Sequence, residues 1–472
     1  MVAILDKIDG VLYYPILMVC LIVFGLIFTF KTRFVQIRMI PEAFRVLLEK
    51  PKDGKVSSFQ ALMVSTASRV GTGNIIGVAQ AVCLGGPGAV FWMQLLALIG
   101  GASAFVESTL AQVYKKRNES GGSFGGPGYY IQYALHSRFL GVLFVIFLIL
   151  TYGFGFNMLC SYNLQSTFVT YSFYDEKVTP IVVGLILAVL VGICILGGRK
   201  RMVHTTELLV PIMGLLYVAV SLVVILVNIS RIGEVIVLIF RDAFNFRAMI
   251  AGGFGGSCMI YGIKRGLYSN EAGVGSAPNA AATAEVTHPV KQGLVQMLSV
   301  YIDTLLLCTA TALMCLFSGV ARNPEDAGAP YVQNAVSSVF GKVGPLFITV
   351  AMVLFAFTTL IGNLYYVDNG LTFLNHHKLP GKKFMTGWRI LCAAVIAVGA
   401  VIPMNAAWDL ADIFMGGMAI CNLPACLILS GVAVKCVRDY ERQKKAGVNP
   451  AFNASEVEMD TSNLEYWVDD PR

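Results

Sequence analysis

The chain has 472 residues, of which 56% are hydrophobic and 13% charged, with a formal net charge of +7 at pH 7. Soluble domains carry about 25% charged residues to coat their surface. An ordinary soluble fold is therefore excluded, and the composition implies a polytopic helical membrane protein.

Residues 1–10, MVAILDKIDG, lack a basic n-region, and no A-x-A-like site follows the first apolar run. That run is expected to stay in place as a membrane helix rather than be cleaved. A bilayer crossing needs about 20 apolar residues. Eleven runs approach that length: 11–31, 58–82, 88–113, 138–158, 179–198, 207–229, 246–263, 289–319, 345–362, 388–402 and 410–436. After the first run, residues 35–50 alternate basic and apolar positions at near-helical spacing, as a helix lying on the inner surface would. Beyond the last run, 446–472 is polar and acidic and reads as a mobile cytoplasmic tail.

Basic residues test this order, because they concentrate in cytoplasmic loops. With the loop after the first helix placed inside, 26 basic residues fall in inner segments and seven in outer ones. The inner set includes Lys264, Arg265 and Lys291 of a loop expected at 264–291. The split favours an odd helix number, an outer N-terminus and a cytoplasmic C-terminus. The positive net charge is then inner-surface anchoring, with no need of nucleic acid. The 11 cysteines form no C-x-x-C and read as reduced thiols in apolar segments. The histidines at 136, 204, 288, 376 and 377 fall near loops and read as solvated.

Two of the eleven helices carry dense glycine. The second holds R-V-G-T-G-N at 69–74, and the seventh holds A-G-G-F-G-G-S at 251–257. Each glycine costs a helix about 1 kcal/mol relative to alanine, although glycines also let helices pack closely. If the first helix is set aside, the clusters fall in the first and sixth of ten helices. Those are corresponding places in two blocks of five, 58–229 and 230–436, that would be inverted across the membrane. Paired interrupted helices of this kind point to the midplane site of a secondary transporter. Unwound backbone at that depth is tolerated where it lines a cavity. A half-helix starting after Gly73 and Asn74 offers N–H groups and a positive dipole end to a carboxylate. The carbonyls that unwinding leaves behind suit a small hard cation. A phosphate loop does not fit, since no strand precedes the glycines and no G-K-[ST] occurs.

The longer motifs carry a resemblance. RVGTGNIIGVA is followed by GGPGAVFWMQLLALIG from Gly85, with Gln94 where tryptophan is usual. FVESTLAQVYK, GGPGYYI, KRGLYSNEAGVGSAPNAAATA and HPVKQGLVQMLSVYIDTLLLCTATAL follow in order. The chain resembles the alanine-or-glycine:cation symporter family, over nearly all of 58–436. That resemblance implies a LeuT-type fold of ten core helices behind one extra N-terminal helix. It also implies sodium-coupled uptake of small neutral amino acids across the inner cell membrane, with no organic cofactor. FAFTTLIGNLYY has Asn363 where many members have tryptophan, and is similar to a branch associated with glutamine as well as alanine.

Substrate contacts are expected from Gly71, Thr72, Gly73 and Asn74, and from Gly252, Gly253, Phe254 and Cys258 of the seventh helix. By analogy with the LeuT type, the carbonyls of Ala67, Val70 and Phe355 and the hydroxyls of Thr358 and Thr359 would hold sodium. Both hydroxyls have an alternative partner in the carbonyls of the preceding turn. Asn363 lies one turn after Thr359, on the same face. It is assigned to the substrate side chain, with Asn157 beside it, or else to an interhelical hydrogen bond. Arg69, Glu107 and Asp303 are intramembrane charges and functional candidates by default. They read as a brace for the broken helix or as part of a gate. A proton-coupled symporter is the nearest rival reading and a channel a more distant one. The spans hold no H-E-x-x-H, G-x-S-x-G or paired catalytic carboxylates, which argues against an enzyme.

Overall fold

The computed structural model describes residues 2–49, 55–117, 122–247 and 257–468. Among them, seven helices are long and apolar enough to cross a membrane: Ala89–Val113, Arg138–Ser166, Thr179–Leu196, Arg199–Val227, Pro289–Ser318, Val343–Leu374 and Met404–Lys445. Shorter helices include Met18–Lys31, Ser58–Arg69, Cys258–Asn270 and Lys382–Gly399. Thr179–Leu196 and Arg199–Val227 turn Leu185, Val189, Ile193, Leu208, Leu215 and Leu226 outward. An exposed aliphatic face of this extent fits lipid rather than water.

Several helices overrun the apolar segments that announce them. Val343–Leu374 extends well past 362, and Met404–Lys445 past 436. The extensions carry polar side chains that find partners inside the bundle. Asp368 pairs with Arg389 at 3.1 Å, and Asn369 donates to Asn279 at 2.6 Å. Paired polar groups can be buried in a helix that hydropathy alone would end.

The largest departure concerns the seventh helix. Lys264 and Arg265 do not open a cytoplasmic loop. They sit within Cys258–Asn270, whose beginning packs on the beginning of Ala89–Val113. Their charges are paired with Asp9 and Asp412, which is why they are tolerated there. The helix stops at Asn270 and a short turn resumes at Pro278–Ala281. Between them Glu271, Gly273 and Gly275 have φ of 51°, 83° and 94°. Such values favour glycine, and Glu271 adopts one as a non-glycine residue.

The elements expected on the cytoplasmic side also differ from expectation. The surface helix is two pieces, Val35–Arg38 and Ile40–Leu47, the second starting with Pro41 in its first turn. Its Ala43 and Val46 are buried while Phe44 and Leu48 are exposed. The tail is not free over its described part. Phe452 N–H donates to Thr287 O at 2.8 Å, and Trp467 Nε1 donates to Gln112 O at 2.7 Å. Lys115 Nζ lies 4.4 Å from the Tyr466 ring centre. His288 is buried beneath Phe452 rather than solvated, and His377 bonds the Tyr133 hydroxyl at 2.6 Å.

Candidate functional site

The first break is built by three residues. Ser58–Arg69 starts in a capping box between Ser57 and Gln60 and makes its last helical bond from Val70 N–H to Thr66 O at 2.7 Å. Val70 then turns to a ψ of 84°, and the chain re-enters a wide π-helical turn at Gly73–Gly77. Gly71 N–H donates to Asn74 Oδ1 at 2.8 Å. In a continuous helix that N–H would go to the Ala67 carbonyl, so Ala67 loses its usual donor. Gly71 is pressed against Thr359, where a methyl group would collide with the threonine hydroxyl.

Asn74 is a strut as well as part of the turn. Its amide donates to Asp303 Oδ1 at 2.7 Å, and Asp303 Oδ2 accepts from Ser269 at 2.8 Å and Thr304 at 2.9 Å. Asp303 lies in a π-helical stretch, Tyr301–Cys308, inside Pro289–Ser318. Such bulges re-aim side chains and recur at functional sites. Thr72 Oγ1 accepts from Asn163 at 3.0 Å, tying the break to Arg138–Ser166.

The second break is Glu271–Ala277. It faces the middle of Ala89–Val113, with Ala272 against Gly100 and Glu107 accepting from Gly273 N–H at 3.4 Å. Asn422, midway along Met404–Lys445, donates to Glu107 Oε2 at 2.8 Å and to Gly273 O at 2.9 Å. Tyr268 closes the gap to the first break, its ring lying on Gly73. Both interruptions thus meet at one depth. Gly252, Gly253 and Phe254 lie outside the described residues. Cys258 is not brought to either break, because its thiol donates to Asp242 O at 3.5 Å, at the far end of its helix. From Cys258 to Asn270 that helix rises about 18 Å.

Thr358 and Thr359 separate clearly. Thr358 Oγ1 bonds back to Leu354 O at 2.9 Å and Phe355 O at 3.2 Å. Thr359 Oγ1 is buried without a hydrogen-bond partner, directly beside Gly71. Asn363 accepts from Ser68 Oγ at 2.6 Å and donates to Asn157 Oδ1 at 3.0 Å. The interhelical alternative is therefore realised for Asn363, and Asn157 is its partner.

Arg69 forms an ion pair with neither Glu107 nor Asp303, contrary to the expected brace. Its Nη1 donates to Gln296 O at 3.2 Å, while Nε and Nη2 are buried without partners. Its charge is felt by Glu107, Glu271 and Asp303 together. Glu271, which accepts from the Ser276 hydroxyl, was missed in the sequence, as were Ser68, Asn163, Ser269 and Asn422. The polar run N-E-A-G-V-G-S at 270–276 is the signal that could have found the second break.

A family model described as the sodium:alanine symporter family matches residues 1–454. The probable sodium/glutamine symporter GlnT of Bacillus subtilis is 43% identical, covering 98% of this chain and 96% of its own. Amino-acid carrier protein AlsT of the same organism is 44% identical, over 95% of this chain and 94% of its own. The sodium/alanine symporter AgcS of Methanococcus maripaludis is 35% identical, over 96% and 99%. Among solved structures, MhsT in complex with L-phenylalanine superposes with a TM-score of 0.55 at 13% identity, covering 83% of this chain and 99% of its own. MhsT has the LeuT fold, and the likeness extends to fold alone.

Proposed function

The chain belongs to the sodium:alanine symporter family, and on that premise we propose that it imports small neutral amino acids by sodium-coupled symport. Relatives named for alanine and for glutamine support both as substrates. The observation that carries the site is the Thr359 hydroxyl, buried and unpartnered beside Gly71, where the Ala67 carbonyl has lost its helical donor. A sodium ion there would take the Thr359 hydroxyl and the carbonyls of Ala67, Val70 and Phe355, with Thr358 in support.

The substrate carboxylate would meet the N–H groups at Gly71–Asn74, which begin the second half of the broken helix. Carbonyls of the second break would take the ammonium group. Asn363 and Asn157 would form the wall that meets the substrate side chain. Glu107 and Asp303 hold the two breaks in place, and Arg69 ties the end of the first half-helix to Gln296 O. In this reading an extra helix within 1–57 precedes two inverted blocks, 58–229 and 230–436, giving eleven spans and a cytoplasmic segment 437–472. The N-terminus would lie outside the inner membrane. Alternating access then exposes one midplane site to each side in turn. Counterflow of labelled alanine and glutamine in proteoliposomes tests this. Uptake is expected only with an inward sodium gradient, and gradient-independent uptake would overturn the coupling.

A further inference from the structure

Asp303 is aimed at the breaks from a wide turn, and that turn needs an anchor of its own. Tyr301–Cys308 is π-helical between two α-helical stretches, Pro289–Val300 and Thr309–Ser318. A wide turn of this kind holds an extra residue relative to an α-helix. Unless its two ends are fixed, the helix can relax to α-helical register and turn Asp303 away from its partners.

Both ends rest on Ala89–Val113. At one end the Tyr301 ring lies on Gly101, where an added methyl group would come 2.8 Å from the tyrosine oxygen. At the other end Gln94 Nε2 donates to Thr309 Oγ1. The eight steps from Tyr301 to Thr309 are set against seven from Gln94 to Gly101, and the wide turn takes up the extra residue. Leu98 and Leu306 are exposed aliphatics about one turn from Gln94 and Thr309. The bond thus lies near the lipid-facing flank, where water does not compete for it.

Thr309 is the residue that closes the turn. Its N–H is shared between Thr304 O and Leu306 O, and its hydroxyl donates to Thr304 O at 3.2 Å. A threonine hydroxyl in a helix ordinarily bonds the carbonyl three or four residues back, whereas this one reaches five back. The bond from Gln94 occupies the hydroxyl oxygen from one side and so directs its hydrogen to Thr304 O. Thr304 Oγ1 then donates to Asp303 Oδ2 at 2.9 Å. An unbroken path runs from Gln94 through Thr309 and Thr304 to the carboxylate shared by Asn74 and Ser269.

We propose that Gln94 is a positioning residue for substrate binding: by holding the Thr309 hydroxyl on Thr304 O it fixes the register of the wide turn, and so keeps Asp303 on Asn74 and Ser269. The proposal rests on the symport reading for its effect on uptake, while the relay itself can be read from stability.

Gln94→Leu and Thr309→Val each remove the bond with a side chain suited to that flank. In saturating sodium, the alanine concentration for half-maximal uptake is expected to rise about fivefold in both, with the maximal rate within about twofold of wild type. Thr309→Ser keeps the hydroxyl and is expected to stay near wild type. Lost packing alone would lower the maximal rate and leave the half-saturating concentration in place. Asp303→Asn supplies the second readout. If Gln94 acts through Asp303, adding Gln94→Leu to Asp303→Asn is expected to raise the half-saturating concentration by less than about twofold further. Its effect on the unfolding temperature in detergent is expected to be less than about half of that in the wild type. Independent effects in this pair, or unchanged half-saturating concentrations in Gln94→Leu and Thr309→Val, overturn the proposal. Absence of sodium-driven uptake in the wild type would instead overturn the symport reading, and the unfolding-temperature comparison would still decide the relay.

Discussion

Asn74 and Asp303, 229 positions apart, are joined by a 2.7 Å hydrogen bond, while the other end of the Asn74 amide holds Gly71 N–H at 2.8 Å. One side chain thus shapes the turn of the first break and pins it to the bulged helix behind. Asp303 is in turn held by Ser269, the residue before Asn270, where the seventh helix stops. The two breaks are therefore cross-linked through a single carboxylate.

Removing that carboxylate in Asp303→Ala takes the carboxylate acceptor from three buried donors, leaving Asn74 the longer contact to Asp303 O at 3.3 Å and Ser269 the Cys308 thiol at 3.1 Å. Each uncompensated donor costs about 1–3 kcal/mol, so uptake is expected to fall about 100-fold or more, with a lower unfolding temperature in detergent. Asp303→Asn keeps one acceptor oxygen for Ser269 and Thr304 and is expected to retain part of the activity. Equal activity in Asp303→Ala and the wild type would show that the cross-link is dispensable.

The two neighbouring threonines make a matched pair of tests. Thr359→Val removes an unpartnered hydroxyl while keeping the shape of the side chain. The sodium concentration for half-maximal uptake is expected to rise about tenfold, the equivalent of one lost ligand of about 1.4 kcal/mol. Thr358→Val removes a hydroxyl already bonded to Leu354 and Phe355, so its shift is expected to stay within about threefold. Sodium titrations of uptake separate them, and the opposite order would move the ion away from Thr359.

The first break was legible in the sequence. R-V-G-T-G-N marks it because the bond from Gly71 N–H to Asn74 Oδ1 acts locally, whereas the close approach to Thr359 is tertiary. The end of the seventh helix was misread for a physical reason. The glycines at 251–256 lie outside the described residues, and the interruption that is described, with positive φ at Glu271, Gly273 and Gly275, depends on tertiary contacts with Glu107 and Asn422. Lys264 and Arg265 read as a loop because their partners, Asp9 and Asp412, are remote in sequence. The Asn363 relay is hidden in the same way, its partners lying 295 and 206 positions away.

That relay makes Asn363→Trp a sharper experiment than pocket size alone suggests. The indole has to displace the amide that pairs Ser68 with Asn157, taking that partner from the Ser68 hydroxyl and from Asn157 Oδ1 in the interior. A cost of about 1–3 kcal/mol for overpacking adds to the lost bonds. Lower thermal stability is expected, with the competition ranking shifted from glutamine toward alanine and glycine. Unchanged ranking among alanine, glycine, serine and glutamine would show that Asn363 acts only between helices.

His288 makes tail docking sensitive to acid. Val290 N–H donates to His288 Nδ1 at 3.2 Å, which leaves Nε2 as the protonated nitrogen facing Asp439 Oδ2 at 3.2 Å. Phe452 and Tyr440 each pack on the ring at 5.0 Å, and Lys291 adds a nearby positive charge. Burial pushes the His288 pKa below its ordinary 6.5, and Asp439 offsets this only in part. The sign follows from proton uptake. Above 6.5 neither the docked nor the released state holds the extra proton, so docking is unaffected. As pH falls below 6.5 the released state binds it first, and docking weakens. Lys115, pushed down to about 8 by burial, stays protonated throughout that acid range and keeps its contact with Tyr466. Hydrogen-exchange protection of residues 450–468, corrected for intrinsic exchange, is therefore expected to drop at least about twofold between pH 7.5 and about pH 5.5. His288→Gln is expected to flatten that response. Protection that holds or rises on acidification would place the pH-sensitive contact elsewhere.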